Sequence, residues 1–201
     1  MFDQESVLRR FAQVVEDAHG ELTRLDQRSG DGDFGDNLRG GVREAVARFD
    51  AGGSSAFGAL GEVFLDEVGG TSGPLLGLLF TELAHALDRE AEPVAAFRAG
   101  AAAGLAAIQR VGEAQVGDRT LVDALAPAVE ALESGGFATA AKAAAEGAAR
   151  TGELRARMGR ASYVGERVKG EPDPGAVGIA LLFWAVATVA EPDADLPSPL
   201  G

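Results

Sequence analysis

Apolar residues recur at helical spacing from one end of this chain to the other, and nowhere do they alternate cleanly with period two. The first stripe, Val7, Leu8, Phe11, Val14, Val15, Ala18 and Leu22, predicts a helix over about 3–24. Further helices are predicted over about 35–49, 55–68, 74–88, 93–110, 120–133, 137–157 and 174–190, separated by glycine, proline and serine breaks. Asp173-Pro174 reads as an N-cap followed by proline at the first helical position. The expected fold class is therefore all-α. Eight helices joined by short loops pack as antiparallel, up-and-down neighbours, which places the odd-numbered loops together at one end.

The loops differ in character along that division. Those near Gly52, Glu92 and Gly135 look like plain turns. The odd ones, 26–37, 69–73, 112–120 and 160–175, hold the acidic, glycine-rich and arginine-bearing residues. One end of the bundle is expected to collect the chemistry.

The 201 residues, 46% hydrophobic, suit one domain with a real core, expected over 1–190, and a proline-rich tail over 191–201 expected to be disordered. The most apolar run, 176–190, falls short of the roughly 20 residues that span a bilayer and reads as a buried helix. A formal net charge of −13 disfavours nucleic acid and anionic membrane surfaces as partners. No cysteine is present, which excludes disulfides and thiolate metal sites. The polar, acidic N-terminus is unlike a signal peptide, and a cytoplasmic location is the simplest expectation.

The acidic loop puts Asp26, Asp31 and Asp33 close together with Gly30, Gly32 and Gly35 between and after them. Carboxylates held this close repel unless a cation sits among them, and Mg²⁺ or Ca²⁺ suits hard oxygen donors. A magnesium site holding a phosphate-bearing ligand is the first expectation. Gly30 to Gly35 also spells the dinucleotide G-x-G-x-x-G, but no apolar strand precedes it. An EF-hand counted from Asp31 fails, with Asp36 at the sixth position and Val42 at the twelfth. Gly69-Gly70-Thr71-Ser72-Gly73 opens a helix, where free N–H groups and two hydroxyls favour phosphate. A Walker A loop is absent, since the only lysines are Lys142 and Lys169. Arg160 offers a bidentate fork for phosphate oxygens, and Leu121 offers a wall for a base. His19 and His85 fall within helices and are expected to be structural or exposed.

Five motifs in order, Leu25-Asp26 with 30–37, Gly69–Pro74, Gly117–Ala124, Gly159–Arg167 and Asp173–Ala176, resemble the nucleotide-binding L subunit or domain of dihydroxyacetone kinases over nearly the whole chain. The resemblance implies a closed barrel of eight antiparallel helices with ADP or ATP and two Mg²⁺ at one end. It places the metal on Asp26, Asp31 and Asp33, and phosphate contacts on Phe34, Gly35, Asp36, Asn37, Thr71 and Ser72. Gly112 and Leu121 would line the adenine pocket, and Arg160 with Asp173 and Gly175 would close it. It also implies a separate K-type subunit that holds the sugar covalently on a histidine, with phosphate from ATP or from a phosphotransferase-system carrier.

Phe34 stands where the family usually has histidine, and Asp36 where it has a small or apolar residue. A related domain of fatty-acid kinases has threonine at the first of these. The departure keeps a non-enzymatic nucleotide-sensing module as a rival, and predicts that Phe34→His tightens ADP.

Overall fold

The computed structural model describes residues 2–164 and 168–200. Gly165, Glu166 and Arg167 of the fourth motif lie outside the described residues. Among the described residues there are helices and no strands: α1 (Gln4–Ser29), α2 (Phe34–Ala51), α3 (Ala56–Asp66), α4 (Ser72–Arg89), α5 (Pro93–Gly112), α6 (Val122–Ser134), α7 (Phe137–Arg150), the one-turn α8 (Ala161–Val164) and α9 (Pro174–Ala190). Apart from α8, each packs on the next in sequence, and α9 returns to pack on α1. The apolar stripes meet inside this ring, where interlocking rings such as Phe64 on Phe80 and Phe97 on Phe183 fill the core.

α9 is apolar all round rather than striped, and it is buried from Pro174 to Ala187 at all but one position, Trp184. A helix of that kind belongs inside a protein, and α9 packs on α1, α6 and α7. No described helix is long and apolar enough to cross a membrane. The chain beyond α9 has no regular structure but lies on the bundle. Glu191 accepts the N–H groups of Phe137 (2.7 Å) and Ala138 (3.1 Å), capping α7, while Leu196 and Leu200 pack against the core.

Two boundaries differ from the sequence expectation. α1 continues past Arg24 to Ser29, because Leu25 and Ser29 extend the buried face. The Ser29 hydroxyl donates to Leu25 O (3.0 Å) and the Gly30 N–H to Asp26 O (2.6 Å). Asp26 is therefore a residue of the last helical turn, and the loop proper is only 30–33. α7 stops at Arg150 instead of running to 157. The next residues bond sideways: Gly152 O accepts Gly170 N–H (2.8 Å), and the Thr151 hydroxyl accepts Asp173 N–H (2.7 Å). Pairing with the 168–173 segment replaces the helix and draws that segment toward the odd-loop end.

Candidate nucleotide site

A cavity of about 430 Å³ opens at the end where the odd loops converge, within the size range of small-molecule sites. The last turn of α1 brings Asp26, the 30–33 loop brings Asp31 and Asp33, and α2 brings Phe34 and Asn37. Thr71 and Ser72 come from the start of α4, Gly112 from the end of α5, and Leu121 from the approach to α6. Arg160, Asp173 and Gly175 complete the wall. Every site residue expected from the sequence lines this one cavity except Gly35 and Asp36.

Gly35 serves packing. A Cβ there would meet Thr23 Oγ1 at 2.3 Å and His19 O at 3.0 Å, and its absence lets α2 start close against α1. The Asp36 carboxylate faces outward, accepting from Arg39 (2.8 Å) and bonded to His19 Nε2 (2.8 Å). The bond to His19 holds its carboxyl below the usual range. Asp36, expected to contact phosphate, does not line the cavity, and its charge is engaged by partners outside it. His19, expected to be structural or exposed, holds it there together with Arg39.

Phe34 lines the cavity but belongs equally to the core, at 7% exposure. Its ring reaches α9 beside Gly178, where an added Cβ would lie 3.1 Å from Phe34 Cζ. The ring is a wall between α2 and α9, so an imidazole in its place enters an apolar setting, and the expected gain of a phosphate hydrogen bond no longer follows.

The three carboxylates differ in their engagements. Asp26 Oδ2 accepts the Phe34 N–H (3.0 Å), tying the end of α1 to the start of α2. Asp33 sits at the N-cap of α2 without a side-chain capping bond. Asp31, on the rim, pairs with Arg160. Among the described residues no three acidic or imidazole groups are gathered as a ready-made metal cluster. The donor chemistry nevertheless fits a hard cation, since all three carboxylates line one cavity and each retains lone pairs. Both members of the Asp31–Arg160 pair are well exposed, and such a pair is held by little free energy, about 0–1 kcal/mol. An incoming cation and anion can exchange it.

Across the cavity, the 113–121 loop is shaped by carboxylates. Asp118 accepts Gln115 N–H (2.8 Å), and Asp123 accepts the N–H groups of Gly117 (2.6 Å) and Thr120 (2.8 Å). Asp173 caps α9 through Ala176 N–H (2.9 Å). That residue keeps some exposure, but its carboxyl is desolvated by the surrounding wall, which pushes it up to about 6 against the pull of the Ala176 N–H and Arg119. Sequence reasoning missed Arg119 as a site residue, because a lone arginine before a helix carries no periodic signal. Leu75, Ile108 and Ala114 add apolar wall.

A family model described as DAK2 domain matches residues 28–188. The chain belongs to the DAK2 domain family. It is 35% identical to the ADP-binding subunit DhaL of PEP-dependent dihydroxyacetone kinase 1 from Listeria innocua, over 92% of this chain and 96% of that protein. It is 38% identical to L-erythrulose 1-kinase of Mycolicibacterium smegmatis over 90% of this chain, and it spans only 34% of that longer protein. Among solved structures, dihydroxyacetone kinase from C. freundii in complex with AMP-PNP and Mg²⁺ superposes with a TM-score of 0.72 at 29% identity, covering 91% of this chain and 33% of that one. The DAK2 fold thus accounts for the all-helical architecture, and the cavity lies where its five motifs meet.

Proposed function

We propose that this DAK2 chain binds ADP or ATP with Mg²⁺ in the odd-loop cavity and acts as the phosphoryl-transferring half of a ketose kinase. The observation that carries the reading is the convergence on one cavity of acidic, hydroxyl, arginine and apolar residues from six separate segments. The relatives support it. One is named as an ADP-binding subunit of a dihydroxyacetone kinase, and the solved neighbour holds AMP-PNP and Mg²⁺.

Asp26, Asp31 and Asp33 would hold two Mg²⁺, which when bound supply charge neutralisation at the β- and γ-phosphates. Thr71 and Ser72 offer hydroxyls and helix-start N–H groups to phosphate oxygens. Arg160 moves from Asp31 to the phosphates, a bidentate donor released from a weak pair. Leu75, Ile108 and Leu121 give the base an apolar slot beside Gly112. This chain's residues thus bind and orient the donor, as phosphoryl transfer chiefly requires. The ketose is held by a K-type partner, and the phosphate comes from ATP or from a phosphotransferase-system carrier in the cytoplasm.

The test is a coupled kinase assay. The purified chain with ATP and dihydroxyacetone is expected to give no turnover. A K-type subunit is expected to restore it, with ATP or with a phosphoenolpyruvate-fed carrier mixture identifying the source. Robust turnover by this chain alone contradicts the two-part reading. Nucleotide binding without transfer under any pairing favours the sensing module.

A further inference from the structure

We infer that Arg119 is a positioning residue for the nucleotide site, a buried cation that holds the 168–173 segment and the Asp173 carboxylate in place as one wall of the cavity; this rests on the nucleotide-binding reading. Arg119 is the largest fully buried side chain, at 1% exposure. Its Nη2 donates to Glu171 O (2.9 Å) and Val168 O (3.4 Å), while Nε and Nη1 are buried without a hydrogen-bond partner among the described residues. Its backbone is left-handed, at φ 62°, a conformation that a non-glycine residue keeps only where its surroundings impose it.

A guanidinium desolvated with three of its five N–H donors unmet does not favour folding over an apolar side chain of similar volume. Its presence is better explained by what it holds. Glu171 is gripped twice, its carbonyl by Arg119 from inside and its carboxylate by Arg24 (2.9 Å) and Arg28 (2.8 Å) of α1 from outside. The segment thereby joins α1, whose last turn carries Asp26, to the Asp173 cap of α9. Among the described residues, the charged groups that act on Asp173 are Arg119 and, from α6, Asp123. Arg119 offsets the Asp123 charge. Without it, the Asp173 carboxyl takes up a proton at higher pH and the wall loses its anchor.

The experiment is calorimetric titration of ADP in Mg²⁺ into the native chain, Arg119→Met and Arg119→Lys, with thermal melts of each. Arg119→Met is expected to stay helical with an unchanged or higher Tm, yet to bind ADP about tenfold more weakly. Its deficit should widen between about pH 8 and about pH 6. Arg119→Lys, keeping the charge, should recover most of the affinity and flatten the pH profile. If Arg119→Met fails to fold, Arg119→Gln, which retains an amide donor, carries the same expectation. Native binding with equal affinity in the folded neutral variant overturns the inference alone. Failure of the native chain to bind ADP overturns the nucleotide reading, and the inference with it.

Discussion

Asp31→Asn is expected to weaken Mg²⁺-dependent ADP binding about a hundredfold, close to 3 kcal/mol, while leaving the fold intact. The size follows from removing a full charge and one oxygen donor from a set of three. Asparagine retains the shape but not the charge that draws a divalent cation into an acidic loop. The fold should not respond, because Asp31 lies in a four-residue loop and its ion pair with Arg160 is an exposed one. Two further effects partly cancel: the change frees Arg160 for phosphate, but leaves less charge to hold the metal beside it. The metal term wins because a divalent cation would neutralise more of the ADP diphosphate charge than one guanidinium can. ADP titration of both proteins in Mg²⁺, with far-ultraviolet circular dichroism as the fold control, checks this. Equal affinity removes Asp31 from the proposed metal site.

Gly147→Val should destabilise the bundle by about 3 kcal/mol, lowering Tm by about 6–12 °C for a domain of this size. The cause is a local device between α6 and α7. Pro127, inside α6, has no N–H to offer the carbonyl four residues back. That carbonyl, Asp123 O, faces Gly147, where an added Cβ would lie at 2.3 Å, with Ala124 Cα at 3.0 Å. The helices approach because glycine leaves room, and backbone atoms cannot yield as a flexible side chain would. Helix propensity argues the other way, since most residues outrank glycine in a helix interior by up to about 1 kcal/mol. Steric overlap is larger and sets the sign here. Gly20, exposed on α1 with nothing within 4 Å of where a Cβ would stand, gives the opposite case. Gly20→Ala should stabilise by about 0.5–1 kcal/mol. Thermal melts of the two variants in opposite directions would confirm the distinction; a neutral Gly147→Val would refute the close approach.

The sequence made the helices legible because their stripes are long and strongly periodic. Val7 through Leu22 and the wholly apolar α9 stand out without any tertiary information. It also pointed to the end of the bundle where the cavity opens, since short connections force alternate loops to one end and the distinctive residues fall on those. What it missed depends on contacts across the chain. Gly152, two residues after Arg150, is the local sign that α7 ends there, but the bonds that hold the end come from Gly170 and Asp173. Asp36 reads as one more carboxylate of the acidic loop until His19, seventeen residues earlier, is seen to hold it outside. Phe34 reads as a substituted ligand until its ring is found against Gly178. Arg119, buried in the cavity wall, falls inside the Gly117–Ala124 motif, but nothing in periodicity or spacing gives it a role.

The central claim, that the odd-loop cavity takes a nucleotide through carboxylate-held magnesium, is tested most directly by titrating ADP into the native chain with Mg²⁺ and again with a chelator. Saturable binding in Mg²⁺ that collapses on chelation is the predicted result. Binding of equal strength in both, or none in Mg²⁺, would contradict it.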